Sequence, residues 1–247
     1  MRKVLAGTGH YFILMKRVFV LPEKPRIFAG QVFTEMEKLG MSSIWIVAII
    51  SFFMGAVITI QTALNFNNPL LPKAYIGLVA RDSILLEFSS TMIALILAGK
   101  VGSNIASEIG SMRITEQIDA MEMMGLNSAN YLILPKVVAS VIFNPFLTIL
   151  SMFVGILGGA FIVMFTQIIM FADFIHGIQI YLQPFYVTYG IVKMVVFSLI
   201  ITTIPAFYGY NAKGGSLDVG KSGTVSIVAS CILILMFNLI LTQLMLT

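Results

Sequence analysis

The sequence predicts an all-α integral membrane protein, and three observations carry that prediction. Hydrophobic residues make up 58% of the 247-residue chain and charged residues 11%, with a mean hydropathy of +0.97. Several uncharged runs are long enough to cross a bilayer, and the basic residues gather on one side of them. A soluble domain keeps about 25% of its residues charged to hydrate its surface. At less than half that density, a soluble fold of this length is excluded.

The elements follow in order. About residues 1–40 form an N-terminal region that holds seven of the fifteen basic residues: Arg2, Lys3, Lys16, Arg17, Lys24, Arg26 and Lys38. His10–Leu21 is apolar and aromatic around Lys16 and Arg17, with Pro22 and Pro25 closing it. It reads as an amphipathic helix on the inner leaflet, with a disordered basic tail as the alternative. Its apolar core is too short and too interrupted for a signal peptide.

A five-span core of about residues 43–247 follows, and the whole chain reads as one membrane domain. A span needs about 20 apolar residues. The first is Ser43–Leu64. The second starts near Ser83, contains Glu87 and ends near Lys100. The third starts after Lys136, the fourth lies within Pro184–Tyr210 and contains Lys193, and the fifth is Thr224–Thr247. The uncharged run 137–172 fits one span to about Phe165 plus an interfacial segment through Asp173 and His176, or two spans divided at Gly155, Gly158 and Gly159. Charge decides for one. With five spans and a cytoplasmic N-terminus, twelve basic residues fall inside and two, Lys73 and Arg81, outside, as the positive-inside rule requires. Splitting the run would put Lys213 and Lys221 outside. A multi-pass membrane protein with its N-terminus in the cytoplasm is the expected setting. The net charge of +4 therefore belongs to the membrane surface, and no nucleic-acid partner is expected.

The most informative stretch lies between spans two and three: Ser107–Gly125, SEIGSMRITEQIDAMEMMG. It carries too many charges to cross a bilayer, at about 2.5–3.5 kcal/mol for each at mid-membrane. Its period is helical: Ile114, Ile118 and Met121 share one face, and Glu108, Thr115, Asp119 and Glu122 the other. Gly125 supplies a C-terminal stop. A short amphipathic helix fixed between two spans is a mechanical handle, or a plain connector.

Glu87 and Lys193 are intramembrane charges, which usually face a polar cavity or a partner. Near the outer end of their spans they either pair, or line one cavity facing the periplasm, or snorkel to the interface. Ile58, Gln61 and Asn65 share one face of span one and point toward the same end as Glu87 and Phe88. These residues are the candidate lining of one pocket, with ordinary helix packing the alternative for Ile58.

Gly215-Ser-Leu-Asp-Val-Gly-Lys-Ser222 satisfies the P-loop expression, yet a P-loop needs a strand before it and a soluble helix after it. It is read as a glycine-rich turn, and no nucleotide is expected on this chain. Cys231, the single cysteine, excludes an intramolecular disulfide or a CxxC metal site. His10 and His176 lie far apart and neither HExxH nor GxSxG occurs, so neither a metal site nor a catalytic set is expected.

SEIGSMRITEQIDAMEMMG resembles the signature of the MlaE/YrbE permeases of Mla- and Mce-type lipid transporters. Further pieces match in order: QVFTEMEKLGMSSIWIVAIISFFMGAVITIQ, AGKVGSNIASEIG and GYNAKGGSLDVGKSGTVSIVAS. The resemblance runs from about Gln31 to the C-terminus. It implies that the polar segment is a coupling helix docking a cytoplasmic ABC ATPase, through Glu108, Gly110, Met112, Arg113, Glu116, Gln117, Asp119, Ala120, Met121 and Gly125. ATP and Mg would bind that partner. The resemblance also implies a homodimer, a periplasmic Mce-domain carrier, and phospholipid as cargo in outer-membrane lipid homeostasis. It departs in span two, where the family often has Arg-Glu then Gly-Pro and this chain has Leu86-Glu87-Phe88-Ser89-Ser90. That removes one arginine from lipid handling and predicts a straighter helix. Rival classes are an ATP-independent scramblase or channel, and an intramembrane lipid-modifying enzyme.

Overall fold

The computed structural model describes residues 2–20, 25–66, 72–166 and 168–246, and side chains from Gly7 onward. It is all-α, and five of its helices have the length and apolarity to cross a membrane. In chain order the helices are α1 (Arg2–Val18), α2 (Pro25–Asn65), α3 (Ala74–Ile114), α4 (Gln117–Met123), α5 (Ser128–Thr166), α6 (Phe171–Gln179), α7 (Phe185–Tyr210) and α8 (Ser216–Leu246). The run 137–172 contributes one spanning helix, α5, with the short α6 after it. Leu21, Pro22, Lys24 and Thr247 fall outside the described residues.

Several sequence boundaries need correction. At 1.5 Å per residue, the 41 residues of α2 and of α3 extend about 60 Å, twice the hydrocarbon thickness. Helical backbone bonds continue past the apolar run wherever side chains beyond it find partners. So α2 begins at Pro25 and α3 at Ala74, and Arg81, counted as a loop residue, lies inside a helix. α8 begins at Ser216. Gly220, Lys221 and Ser222 are therefore helical, and the glycine-rich turn shrinks to the residues before it, with Gly214 at φ 101°. Residues Ile84–Met92 form a π-helical stretch within α3, a wide and rare geometry that tends to mark functional sites. A second such stretch, Met36–Met41, lies within α2.

The chain forms two compact units, and the five long helices contribute to both. Unit one comprises Met1–Ser42, Ala94–Phe143 and Val196–Ile240; unit two comprises Ser43–Ile93, Asn144–Val195 and Leu241–Thr247. In unit two, α2 and α5 pack backbone to backbone. A Cβ on Gly55 would stand 1.9 Å from the Gly155 carbonyl oxygen, and one on Gly158 would stand 2.0 Å from that of Phe52. The Ser51 and Ser151 hydroxyls bond across the same contact at 2.8 Å. Small residues and interhelical hydroxyl bonds are what hold helices together where the hydrophobic effect cannot. Beside them, Ala63, Ile76, Val163, Ile169 and Phe174 form an apolar cluster under α6. Arg81, 1% exposed, donates to the Ile178 and Ile180 carbonyls at 2.7 Å each and pairs with Asp82 at 2.7 Å. It thereby satisfies the C-terminal carbonyls that α6 leaves open.

In unit one, α1 is docked onto other helices. Leu14, Met15 and Val18 are buried, and the Tyr11 hydroxyl donates to Thr203 Oγ1 at 2.8 Å. The reading of this segment as a helix holds, though it starts earlier than His10.

Gly158→Val should remove at least about 3 kcal/mol, since the added atoms meet backbone that has no room to yield. Gly99→Ala, at a position with nothing within 4 Å, should be neutral. Thermal unfolding of the detergent-purified variants checks both.

Candidate functional site

Two groups of side chains carry the chemistry, one in each unit. In unit two, Lys193 of α7 is fully buried and surrounded by acceptors. Its Nζ lies 2.9 Å from Glu87 Oε1, 3.3 Å from the Leu86 carbonyl and 3.2 Å from Thr242 Oγ1. It also stands 4.6 Å from the centre of the Tyr189 ring. Thr91 donates to Glu87 Oε2 at 3.1 Å, and Tyr189 donates to Thr242 at 2.9 Å. Of the two alternatives for these charges, the structure shows the pair. Lys193 does not snorkel. The Glu87 side chain keeps 40% of its surface open, so one face of the pair is available to a further polar group. The carboxylate sits in the π-helical stretch of α3, whose altered pitch presents Glu87 and Leu86 O to the same ammonium.

The remaining sequence candidates near this cluster divide. Ile58 packs with Ala80, Ile84 and Phe88, and Ile58 and Phe88 line a narrow cleft with Met54, Gly55 and Ser89. Only about 270 Å³ of space lies in and above it, open solvent included, so the described residues of one chain do not enclose a two-chain lipid there. Gln61 and Asn65 are exposed on α2. Thr91 and Tyr189 were within reach of sequence reasoning, one helical turn from Glu87 and from Lys193 respectively; Thr242 carried no such signal.

In unit one, the polar segment between α3 and α5 is built differently from the single helix its periodicity predicts. Glu116 adopts φ 60°, ψ 12°, the left-handed region that costs a side-chain-bearing residue about 1–2 kcal/mol. The break lets α3 run to Ile114 and leaves α4 as a separate seven-residue helix, Gln117–Met123. Arg113 bridges the break, 2.5 Å from Asp119, and stands 6.0 Å from the Tyr210 ring centre. Gly125, at φ 78°, closes α4: its N–H bonds to the Glu122 carbonyl and that of Leu126 to the Met121 carbonyl, a Schellman closure.

The sequence candidates here fall into two sets. Glu116, Gln117, Ala120 and Gly125 are exposed, while Met112, Arg113, Asp119 and Met121 are half-buried. Met123 and Met124, at 86% and 69% exposed, extend the open surface. Glu108 and Gly110 instead lie on α3. Gly110 is packed where a Cβ would stand 2.9 Å from Val219. Glu108 accepts from Lys136 at 2.7 Å, and Lys136 also reaches Glu35 at 2.7 Å. That buried bridge joins α2, α3 and α5, and the sequence alone gave no pairing for it.

Glu122 accepts from Tyr210 Oη at 2.8 Å and Ser128 Oγ at 3.0 Å. The Tyr210 hydrogen bond holds its carboxyl below the usual range; burial opposes this, and Ser128, Arg17 and Arg113 add to it.

An all-α chain with five bilayer-length helices, a charge pair within its apolar part and a short exposed helix between two long ones has the architecture of a multi-pass membrane protein. The family model described as Permease MlaE matches residues 32–244, and the chain belongs to that family. It is 33% identical over 98% of its length to a probable ABC transporter permease protein of Rickettsia bellii, covering 93% of that chain. A probable ABC transporter permease protein of Synechocystis is 36% identical over 95% of this chain and 89% of its own. The intermembrane phospholipid transport system permease protein MlaE of Haemophilus influenzae is 29% identical over 85% and 81%.

Glu87→Gln should cost about 3 kcal/mol by leaving the buried Lys193 without its anion, and Lys193→Met in the same chain should recover part of that loss. Melting temperatures of the single and double variants check this. For Glu122 the sign follows from a lowered carboxyl. Its stabilisation is complete above the ordinary carboxylate range and disappears as pH falls through the depressed value. Tyr210→Phe should therefore be less stable than the parent at neutral pH, with the gap closing in acid; unfolding measured across pH reads this directly.

Proposed function

We propose that this chain is the membrane-spanning subunit of an ABC-type transporter that moves phospholipid between the bacterial inner membrane and a periplasmic Mce-domain carrier, with a role in outer-membrane lipid homeostasis. The chain works as a homodimer with its N-terminus in the cytoplasm. A separate cytoplasmic ATPase binds ATP and Mg and grips α4 and its flanks; this chain performs no catalysis.

One observation carries the reading. Within a permease of this family, α4 is a short exposed helix fixed at both ends to long helices, by Arg113–Asp119 on one side and Glu122–Ser128 on the other. A partner that moves it moves α3 and α5 with it. The name of the Haemophilus relative supports phospholipid as cargo. The half-open Glu87–Lys193 pair supports a headgroup contact, with Ile58, Gln61, Asn65 and Phe88 as further lining of the pocket. A second copy of the chain supplies the volume that one copy lacks. Twelve basic residues on one side against two on the other support the orientation.

Glu116→Lys should abolish both co-purification of the ATPase and ATP-dependent lipid transfer in proteoliposomes, because it reverses an exposed charge at the head of α4. Asp119→Lys should do the same and also break the Arg113 pair. Full lipid transfer by Glu116→Lys without bound ATPase would instead establish an ATP-independent scramblase.

A further inference from the structure

The N-terminal helix ends in an unusual way. A helix leaves its last carbonyls without intrahelical partners, and water or its own following residues generally satisfy them. In α1 they are satisfied by side chains of another helix. Asn127 Nδ2 donates to the Arg17 carbonyl at 2.9 Å, and Asn130 Nδ2 donates to the Val18 and Val20 carbonyls at 2.7 and 2.6 Å. Asn127 does this while capping its own helix, its Oδ1 accepting from the Asn130 N–H at 3.3 Å. One side chain therefore closes the C-terminus of α1 and the N-terminus of α5.

The neighbour of Asn127 is Ser128, whose hydroxyl is bonded to Glu122 of α4. A continuous path results: α4 through Glu122 to Ser128, one peptide to Asn127, and across to the backbone of α1. The far part of α1 is secured separately, by Tyr11 on Thr203 and by the edge of its ring on Phe207 at 5.6 Å. Its outer face is mixed, with Phe12 and Ile13 at 70% and 62% exposed and Lys16 and Arg17 exposed in its last turn.

We infer that α1 is a working arm of the coupling segment, tied to α4 through Glu122, Ser128 and the double cap at Asn127, so that displacement of α4 is passed to α1. Asn127 and Asn130 are the positioning residues of that link. Its meaning for transport rests on α4 being the element the ATPase grips; the link itself does not.

The test uses the full chain alone, in nanodiscs of phosphatidylethanolamine and phosphatidylglycerol, with hydrogen–deuterium exchange read over residues 14–20. Asn127→Ala/Asn130→Ala should speed exchange there by roughly fivefold to tenfold, the effect of losing hydrogen bonds of ordinary strength. Glu122→Ala, two links away, should also speed it, and should add nothing in the Asn127→Ala/Asn130→Ala background, since coupled sites are not additive. Ser128→Ala removes the same link, keeps the carboxylate, and should reproduce the pattern if Glu122→Ala destabilises α4 as a whole. The inference is overturned if Glu122→Ala and Ser128→Ala leave α1 unchanged, or if their effects persist once both asparagines are gone. Because no ATPase is present, these outcomes are independent of the Glu116→Lys association experiment.

Discussion

A cation enclosed among apolar helices has to be neutralised where it stands, and the register of this protein depends on that requirement. Lys193, Arg81 and Lys136 are 0%, 1% and 3% exposed. Leaving any of them unpaired would cost several kcal/mol, and apolar contacts, being non-directional, do not say which residue of one helix faces which of the next. The charges do. Lys193 fixes α7 against Glu87 of α3 and Thr242 of α8. Arg81 fixes α3 against the end of α6. Lys136 fixes α5 against Glu35 of α2 and Glu108 of α3. α3 takes part in all three.

The glycine contacts act on a different quantity. Where a Cβ would stand about 2 Å from a backbone oxygen, as at Gly55, Gly158 and Gly177, the separation of the helices is set by main chain alone. Charges choose the register and glycines choose the distance. The π-helical stretch Ile84–Met92 lies between these constraints. Its extra turn-width lets α3 present both Glu87 and the Leu86 carbonyl to Lys193, which an unbroken α-helical pitch presents less readily to one point.

What was legible in the sequence follows the same division. Five crossings, the single crossing in the run 137–172, and the Glu87 and Lys193 charges were readable, because burial of apolar length and the rarity of intramembrane charge are properties of composition along the chain. The ends of the helices were not. Pro25, Ala74 and Ser216 open helices earlier than apolarity suggests, because partners from distant segments, such as Lys136 for Glu35, make polar residues acceptable there. The period of Ser107–Gly125 was read as one helix because Ile114, Ile118 and Met121 do share a spacing. That spacing cannot register one left-handed residue, and Glu116 is a residue type that seldom adopts such a conformation. The α1–α5 cap was invisible for a related reason: Asn127 and Asn130 have the composition of an ordinary helix start, and only folding shows that the same amides also end α1.

The left-handed break at Glu116 bears on how a handle at α4 would work. Had α3 continued through residue 123, α4 would be the tip of a rigid rod, and a push on it would tilt the whole of α3. The break instead makes a joint, which the Arg113–Asp119 pair, the Glu122 acceptor bonds and the Schellman closure at Gly125 hold at one angle. Each of these is worth about 1 kcal/mol, small beside the binding free energy of a protein partner at micromolar affinity, about 8 kcal/mol. A joint held that weakly keeps its angle at rest and yields when gripped. Under the proposed function, the force a partner applies would then be divided among α3, α5 and α1 according to which of these bonds gives way first.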